Sequence, residues 1–461
     1  MSLVELELEL ETPLLIGGYD PLKLDEMWFL RPSEVKGIWR WWARALVAGA
    51  LYDAGKLKGQ NASKGVLKVP SSKEVEEISK IVGKDMGLGY ADPQGKSSEA
   101  SNYSIIVTPL QNVEKLKKAI CGDSLRKEDI KNLQRISLLC LKGKERTEGI
   151  KEEKVLEYLE PGARFLLRVE KHLPTEHKGA NAALSALSLA LTFNGFGKGG
   201  RRGLGCFRVV SSSGKYAELF DPKLPAIEKL NNAITAVRDL LKIKVIEEGV
   251  GELPPLPLIS ARRLAMSYTI KEEHVLRPFQ VLEVSGDSSQ RILTNLHNFF
   301  LRGARVKQFF KSYKAMDNLR EKYNAWVLGL PRKQKIKLNL GGQKQEEMQK
   351  RKRQKIEVEL GYFIKSEDIE RRASPFILAL HGNIAYLSVF VSADWPRQLE
   401  WVGNPKIKKN EKGNVEKVVT DSQLIELNEA KIVDAIIDAL KEFIDYAKKC
   451  GFRWILYVPK K

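Results

Sequence analysis

Leucine or valine alternates with glutamate from Leu3 to Leu10, the two-residue period of a strand that turns one face to a core and the other to water. A turn follows at residues 16–21 (IGGYDP). The spacing then predicts a helix from Glu34 through Leu46, with Ser33 placed to cap it. On its wheel Val35, Ile38, Trp42, Ala45 and Leu46 share one face, while Lys36, Arg40 and Arg44 recur every four residues on the other. Residues 103–109 and 164–170 are strand-like. Residues 180–193 (ANAALSALSLALTF) carry no helix breaker and predict a helix, and 206–210 a strand. The order βαββαβ is that of a split βαβ, or ferredoxin-like, unit.

The second half repeats this order. Residues 279–284 predict a strand and 287–302 a helix with Ile292, Leu296, Phe299 and Phe300 on one side. Residues 375–380 and 385–391 form a hairpin around Gly382-Asn383. Residues 431–449 are helical through Ile432, Ile436, Leu440 and Phe443, and 452–458 close the set as a strand. The expected fold is therefore α+β, with two tandem ferredoxin-like (βαββαβ, RRM-like) domains at 1–213 and 229–461. Between them, Ser211–Gly214 and the prolines at 222 and 225 mark a linker. Residues 56–102, rich in Lys, Ser, Glu and Gly, are expected to be a loosely packed insertion. A second, basic insertion at 332–355 holds ten basic and two acidic residues, a solvated surface or a binding element.

Charge sharpens the picture. Lys and Arg number 77 against 58 Asp and Glu, a formal net charge of +19, which favours a polyanionic partner. A membrane partner is not expected, since no eighteen-residue apolar run occurs and the N-terminal segment reads as a strand and not as a signal peptide. Cys121, Cys140, Cys206 and Cys450 lie far apart with no C-x-x-C pair, so neither zinc nor a disulfide framework is indicated and a cytoplasmic setting is expected. No metal or other cofactor is expected.

Residues 194–205 (NGFGKGGRRGLG) enclose Lys198, Arg201 and Arg202 among six glycines, a composition that can expose backbone N–H groups and surround them with positive charge for a phosphate. Gly195, Gly197 and Gly200 satisfy G-x-G-x-x-G, but a dinucleotide site needs strand, loop, helix, and here the order is helix, loop, strand. Lys198 is followed by Gly199, not by the Ser or Thr of a phosphate-binding P-loop. Such a loop is expected to add little to the core. Trp41, beside the cationic stripe of its helix, could stack on a nucleobase or pack against a neighbour. Catalytic candidates are few. His172, His177, His274, His297 and His381 are dispersed. His172 and His177, in a loop after a strand, are the alternative as a general acid or base in RNA cleavage.

Residues 12–18 (TPLLIGG) followed by 31–46 (RPSEVKGIWRWWARAL) resemble the N-terminal signature of the RAMP superfamily. More narrowly, they resemble the family of the first subunit of the Cmr complex, the type III-B CRISPR effector. Residues 201–205 (RRGLG) resemble that family's glycine-rich element, and 328–331 (LGLP) and 371–376 (RRASPF) its second-domain motifs. The resemblance implies two ferredoxin-like folds in a noncatalytic, RNA-binding subunit of an antiviral ribonucleoprotein. Its partners would be single-stranded guide and target RNA and other Cmr subunits, with cleavage left to a different RAMP subunit. A RAMP-family endoribonuclease is the alternative. The residues expected on RNA are Lys36, Arg40, Trp41, Arg44, Lys198, Arg201, Arg202, Arg371 and Arg372, lining a groove between the two halves.

Overall fold

The computed structural model describes residues 2–20, 22–92, 95–110, 113–120, 156–172, 177–243, 252–264, 275–302, 311, 317–339, 355–366, 369–409 and 415–460. Cys121, Cys140, His274 and the most basic part of the 332–355 run lie outside them.

The first half builds a four-stranded antiparallel sheet from β1 (Ser2–Leu10), β2 (Tyr103–Pro109), β3 (Arg164–Lys171) and β4 (Phe207–Ser213), in the spatial order β2-β3-β1-β4. Between β1 and β2 runs α1 (Pro32–Asp53), and between β3 and β4 runs α2 (Ala180–Phe193). Val4, Leu6, Leu8 and Leu10 bury the inner face of β1, as the alternation requires. The outer face neutralises itself: Glu7 and Glu9 pair with Arg164 at 3.0 and 2.8 Å, and Glu9 pairs with Arg208 at 2.7 Å. The helix α1 begins two residues before the expected start. Pro32 occupies its first turn, where its missing N–H costs nothing, and Ser33 is not the cap.

Both helices are apolar on more than one side because they are covered twice. Trp39 is fully buried and donates its indole N–H to the Ala183 carbonyl of α2 at 2.5 Å. Trp42, also fully buried, stacks on Phe193 and meets Phe279 and Phe390 of the second half edge-on. A further helix, α3 (Ala226–Leu241), packs Leu230, Ala233, Ile234 and Val237 into the same core, so the chain stays with the first sheet past the proline-rich turn. The expectation of loose packing at 56–102 is corrected. Ile78, Ile81, Val82, Met86 and Leu88 are all buried in this core, a periodic apolar minority that the polar composition masked.

The second half has its own sheet. The strands β5 (Phe279–Ser285), β8 (Phe376–His381), β9 (Ile384–Phe390) and β12 (Arg453–Tyr457) lie in the order β8-β9-β5-β12, all antiparallel, with α4 (Ser289–Leu301) and α5 (Glu429–Lys449) between them in the chain. By position in their own halves the strands of both sheets follow the order second, third, first, fourth. A third sheet is formed by β6 (Arg332–Asn339), β7 (Lys355–Ile364), β10 (Gln398–Lys409) and β11 (Val415–Glu426) as a four-stranded antiparallel meander. The basic run therefore begins as a strand, and β10 and β11 were not read from the sequence. Leu399, Ile425 and Tyr362 root this sheet in the second core.

Candidate nucleic-acid interface

The glycine-rich loop is a structural joint. Its N–H groups are mostly used inside the protein: Gly195, Phe196, Lys198 and Gly205 donate to the carbonyls of Gly200, Gly205, Leu15 and Pro13 at 2.7–3.1 Å. Gly197 donates to the Glu34 carboxylate in the first turn of α1 at 2.9 Å. The glycines serve close approach. A Cβ on Gly195 would lie 1.9 Å from the Leu204 carbonyl oxygen, and one on Gly205, whose φ is +64°, would lie 2.1 Å from that of Phe196. Phe196 and Leu204 are fully buried, which corrects the expectation that the loop adds little to the core.

The two arginines of the loop tie the halves together. Arg201 donates to the Ser374 carbonyl at 2.9 Å, and its guanidinium lies 5.5 Å from the ring centre of Trp41. Trp41 packs its other contacts edge-on to Phe390 and Trp42. Arg202 donates to the carbonyls of Phe376 and Leu328 at 2.8 and 2.9 Å and lies over the Phe300 ring. The Arg202 carbonyl in turn contacts Nε2 of the buried His297 at 2.7 Å. Arg372 is buried, pairs with Asp394 at 2.8 Å and lies over Trp395, while its neighbour Arg371 is exposed.

These residues form one wall of a groove of about 1210 Å³ whose other wall is the third sheet. Gly197, Gly199, Gly200, Arg201 and Arg202 come from the joint. Arg302, Arg320, Arg332, Lys333 and Arg372 come from the second half, and Tyr362, Trp401 and Gly403 from the meander. Among the described residues of the lining seven are Arg or Lys and none is Asp, Glu or His. Several of the seven are anchored through part of their donors: Arg302 pairs with Glu442 at 2.8 Å and also with Asp317, and Arg332 donates to the Phe300 carbonyl at 2.8 Å. The groove remains short of negative charge. Burial, and then repulsion from Arg372 against a weaker attraction from Asp394, pulls Arg201 down to about 10. Burial likewise lowers Arg302 and Arg320. A cation held down in this way gains from an anion brought beside it.

Of the residues singled out from the sequence, the structure brings Trp41, Arg201, Arg202 and Arg372 together. Lys198 sits on the same loop, part-buried, with its ammonium lowered by burial. The cationic stripe of α1 does not line the groove. Arg40 donates to the Leu88 carbonyl at 3.1 Å, Lys36 is half-buried and Arg44 is exposed. Burial lowers both Lys36 and Arg40, followed by repulsion from Arg40 on Lys36 and from Arg44 on Arg40. Arg302, Arg320 and Trp401 were missed. The alternation of Leu399 and Trp401 was the available signal, obscured by Gly403 and Pro405 in the same strand.

His177 lies away from the groove, with Nδ1 accepting the Gly179 N–H at 3.1 Å, and His381 is held between Glu11 and the Thr192 carbonyl. Among the described residues there is no group of three or more His, Cys, Asp or Glu able to hold a metal, and no helix long and apolar enough to cross a membrane.

Comparison with solved structures gives 18% identity and a TM-score of 0.46 to the apo crystal structure of Cmr1 from Pyrococcus furiosus, over 98% of each chain. A chain of the cryo-EM structure of the type III-B Cmr-beta complex bound to cognate target RNA aligns over 97% of this chain and 99% of its own, with 13% identity and a TM-score of 0.47. No curated protein sequence matches. The family model of the RAMP superfamily matches residues 7–208, from the first strand through the glycine-rich joint. Through that segment the chain is similar to the RAMP superfamily.

Proposed function

We propose that the chain is a noncatalytic RNA-binding subunit of a Cmr-type ribonucleoprotein effector, and that single-stranded guide or target RNA runs through the groove between the glycine-rich joint and the third sheet. The observation that carries this reading is the lining itself, seven cations and no carboxylate among the described residues, on a chain of net charge +19. Phosphate contacts need charge and reach but no tuned acid or base, and they bind every sequence alike. A binding role, not cleavage, is supported by a lining whose described residues include no histidine or carboxylate to move a proton. We read the two halves as tandem ferredoxin-like units, a reading supported by the strand order common to both sheets.

Within this reading Arg201, Arg202 and Arg372 shape the groove and set its potential, and Lys333, Arg320 and Arg371 offer the more accessible charge. Lys36, Arg40 and Arg44 would meet RNA only where it continues along α1. Titration of a labelled single-stranded RNA with the purified protein tests the reading. Affinity should fall with salt with a log-log slope of about −0.7 per phosphate contacted, with little preference among sequences. Affinity that is absent at low salt, or indifferent to salt, contradicts it.

A further inference from the structure

We propose that Trp401 forms a base-stacking subsite in the groove, which takes one unpaired nucleobase on its indole while a neighbouring phosphate lies against Arg332, which shares its face of the sheet through Tyr362. The inference rests on the RNA-binding reading and adds to it a contact with the base.

The strand β10 pairs Trp401 with Tyr362 of β7, which places both rings on the face of the meander that turns to the groove. Tyr362 is buried and belongs to the core beneath. Trp401 is only half-buried and lines the groove. It packs against the second core, and two closer contacts hold it there. The Tyr323 ring meets it edge-to-face, at 4.8 Å between centroids with a 66° tilt. The indole also lies along its own strand across Gly403, so closely that a Cβ on that residue would come within 2.1 Å of the ring. A side chain at 403 would displace the indole. The glycine is therefore the condition for the ring's position, and the ring is held in place while part of its surface stays open to the groove.

The other tryptophans are not among the described residues that line the groove. Trp39, Trp42, Trp326 and Trp395 are fully buried, Trp41 is packed against Phe390, Trp42 and Arg201, Trp28 is exposed, and Trp454 is half-buried beneath Lys448. Phosphate binding alone gives no use for a half-exposed indole among cations, whereas stacking of a base on an ordered aromatic ring is sequence-tolerant and adds to backbone contacts. A partner protein would bring carboxylates to seven cations but would not need a flat ring held ready beside them.

The test compares two probes on the full-length protein: a single-stranded RNA oligomer and an abasic ribose-phosphate oligomer of equal length. The wild-type protein should bind the RNA roughly ten-fold or more tightly than the abasic probe. Trp401→Ala should lose that difference while binding the abasic probe unchanged, and Trp401→Phe should keep most of it. Gly403→Ala, which displaces the ring and leaves every cation in place, should behave as Trp401→Ala. Equal wild-type affinity for the two probes, or an undiminished difference in Trp401→Ala, overturns the subsite and leaves the RNA-binding reading standing. Wild-type protein that binds neither probe at low salt overturns both.

Discussion

The guanidinium of Arg202 lies 4.6 Å from the ring centre of Phe300, so an arginine from the glycine-rich joint of the first half is seated on an aromatic ring of the second. Its two donors end on main-chain oxygens of Phe376 and Leu328. The contact is geometric as well as electrostatic, because a guanidinium can reach two carbonyls and cover a ring at once where an ammonium cannot.

Arg202→Ala is expected to destabilise the protein by about 2–4 kcal/mol, the scale of charge-assisted hydrogen bonds lost with two buried acceptors left behind. Arg371→Ala, at an exposed position, should change stability by no more than about 0.5 kcal/mol. Urea unfolding of the two variants makes the comparison. Equal stabilities would show that the joint is held by packing alone.

Lys333 is exposed on β6, with its ammonium 4.6 Å from the Phe363 ring centre. If it meets one RNA phosphate, Lys333→Ala should reduce the salt slope of binding by about 0.7 and weaken all sequences alike. An unchanged slope removes Lys333 from the path of the RNA.

Two glycines should respond with opposite sign. Gly37, in the middle of α1, has open space where a Cβ would stand, so Gly37→Ala should stabilise the protein by about 0.5–1 kcal/mol. Gly195→Ala places a methyl group on the Leu204 carbonyl and should cost roughly 1–3 kcal/mol or more. Thermal melting of each variant reads the sign directly.

His177 should make the fold sensitive to mild acid. Burial lowers its pKa below the ordinary value of 6.5, and the Gly179 N–H needs an unprotonated Nδ1 to accept it. The folded state therefore binds this proton less readily than the unfolded chain. The stability His177 contributes is full above pH 6.5 and is lost as pH falls through the lowered value. His177→Asn should flatten the pH dependence of stability in that window. The same variant, and His172→Ala, should leave RNA intact just as the unaltered protein does. Cleavage that disappears on either substitution would revive the endoribonuclease alternative.

The strands and helices of the two main sheets were legible because their apolar residues recur at the strand or helix period, or run unbroken by Gly or Pro where a helix is covered on more than one side. Residues 180–193 are the clearest example, a helix with the expected bounds. The meander was not legible. Its strands β10 and β11 mix Leu399, Trp401 and Ile407 with lysines, Gly403 and Pro405, and only their roots are buried. The joint was found from its composition but its chemistry was misread. Gly197 and Lys198 commit their N–H groups to Glu34 and Leu15, and Arg202 ends on carbonyls far along the chain. Main-chain acceptors leave no mark in the order of residues. Trp41 was placed correctly beside cations, yet the cation against it is Arg201 and not one of its own helix.

The meander draws its strands from two separate stretches of chain, and the hairpin of β8 and β9 lies between them. Neither pair of strands can find the other until that hairpin has joined the second core, so the sheet depends on contacts made across long loops and is expected to assemble late. A nascent chain or a truncated half would hold most of the arginines and still have no channel for a strand of RNA. Under the RNA-binding reading proposed above, competence to bind is thereby coupled to completion of the fold, and an unfinished chain would be poorly equipped to sequester RNA.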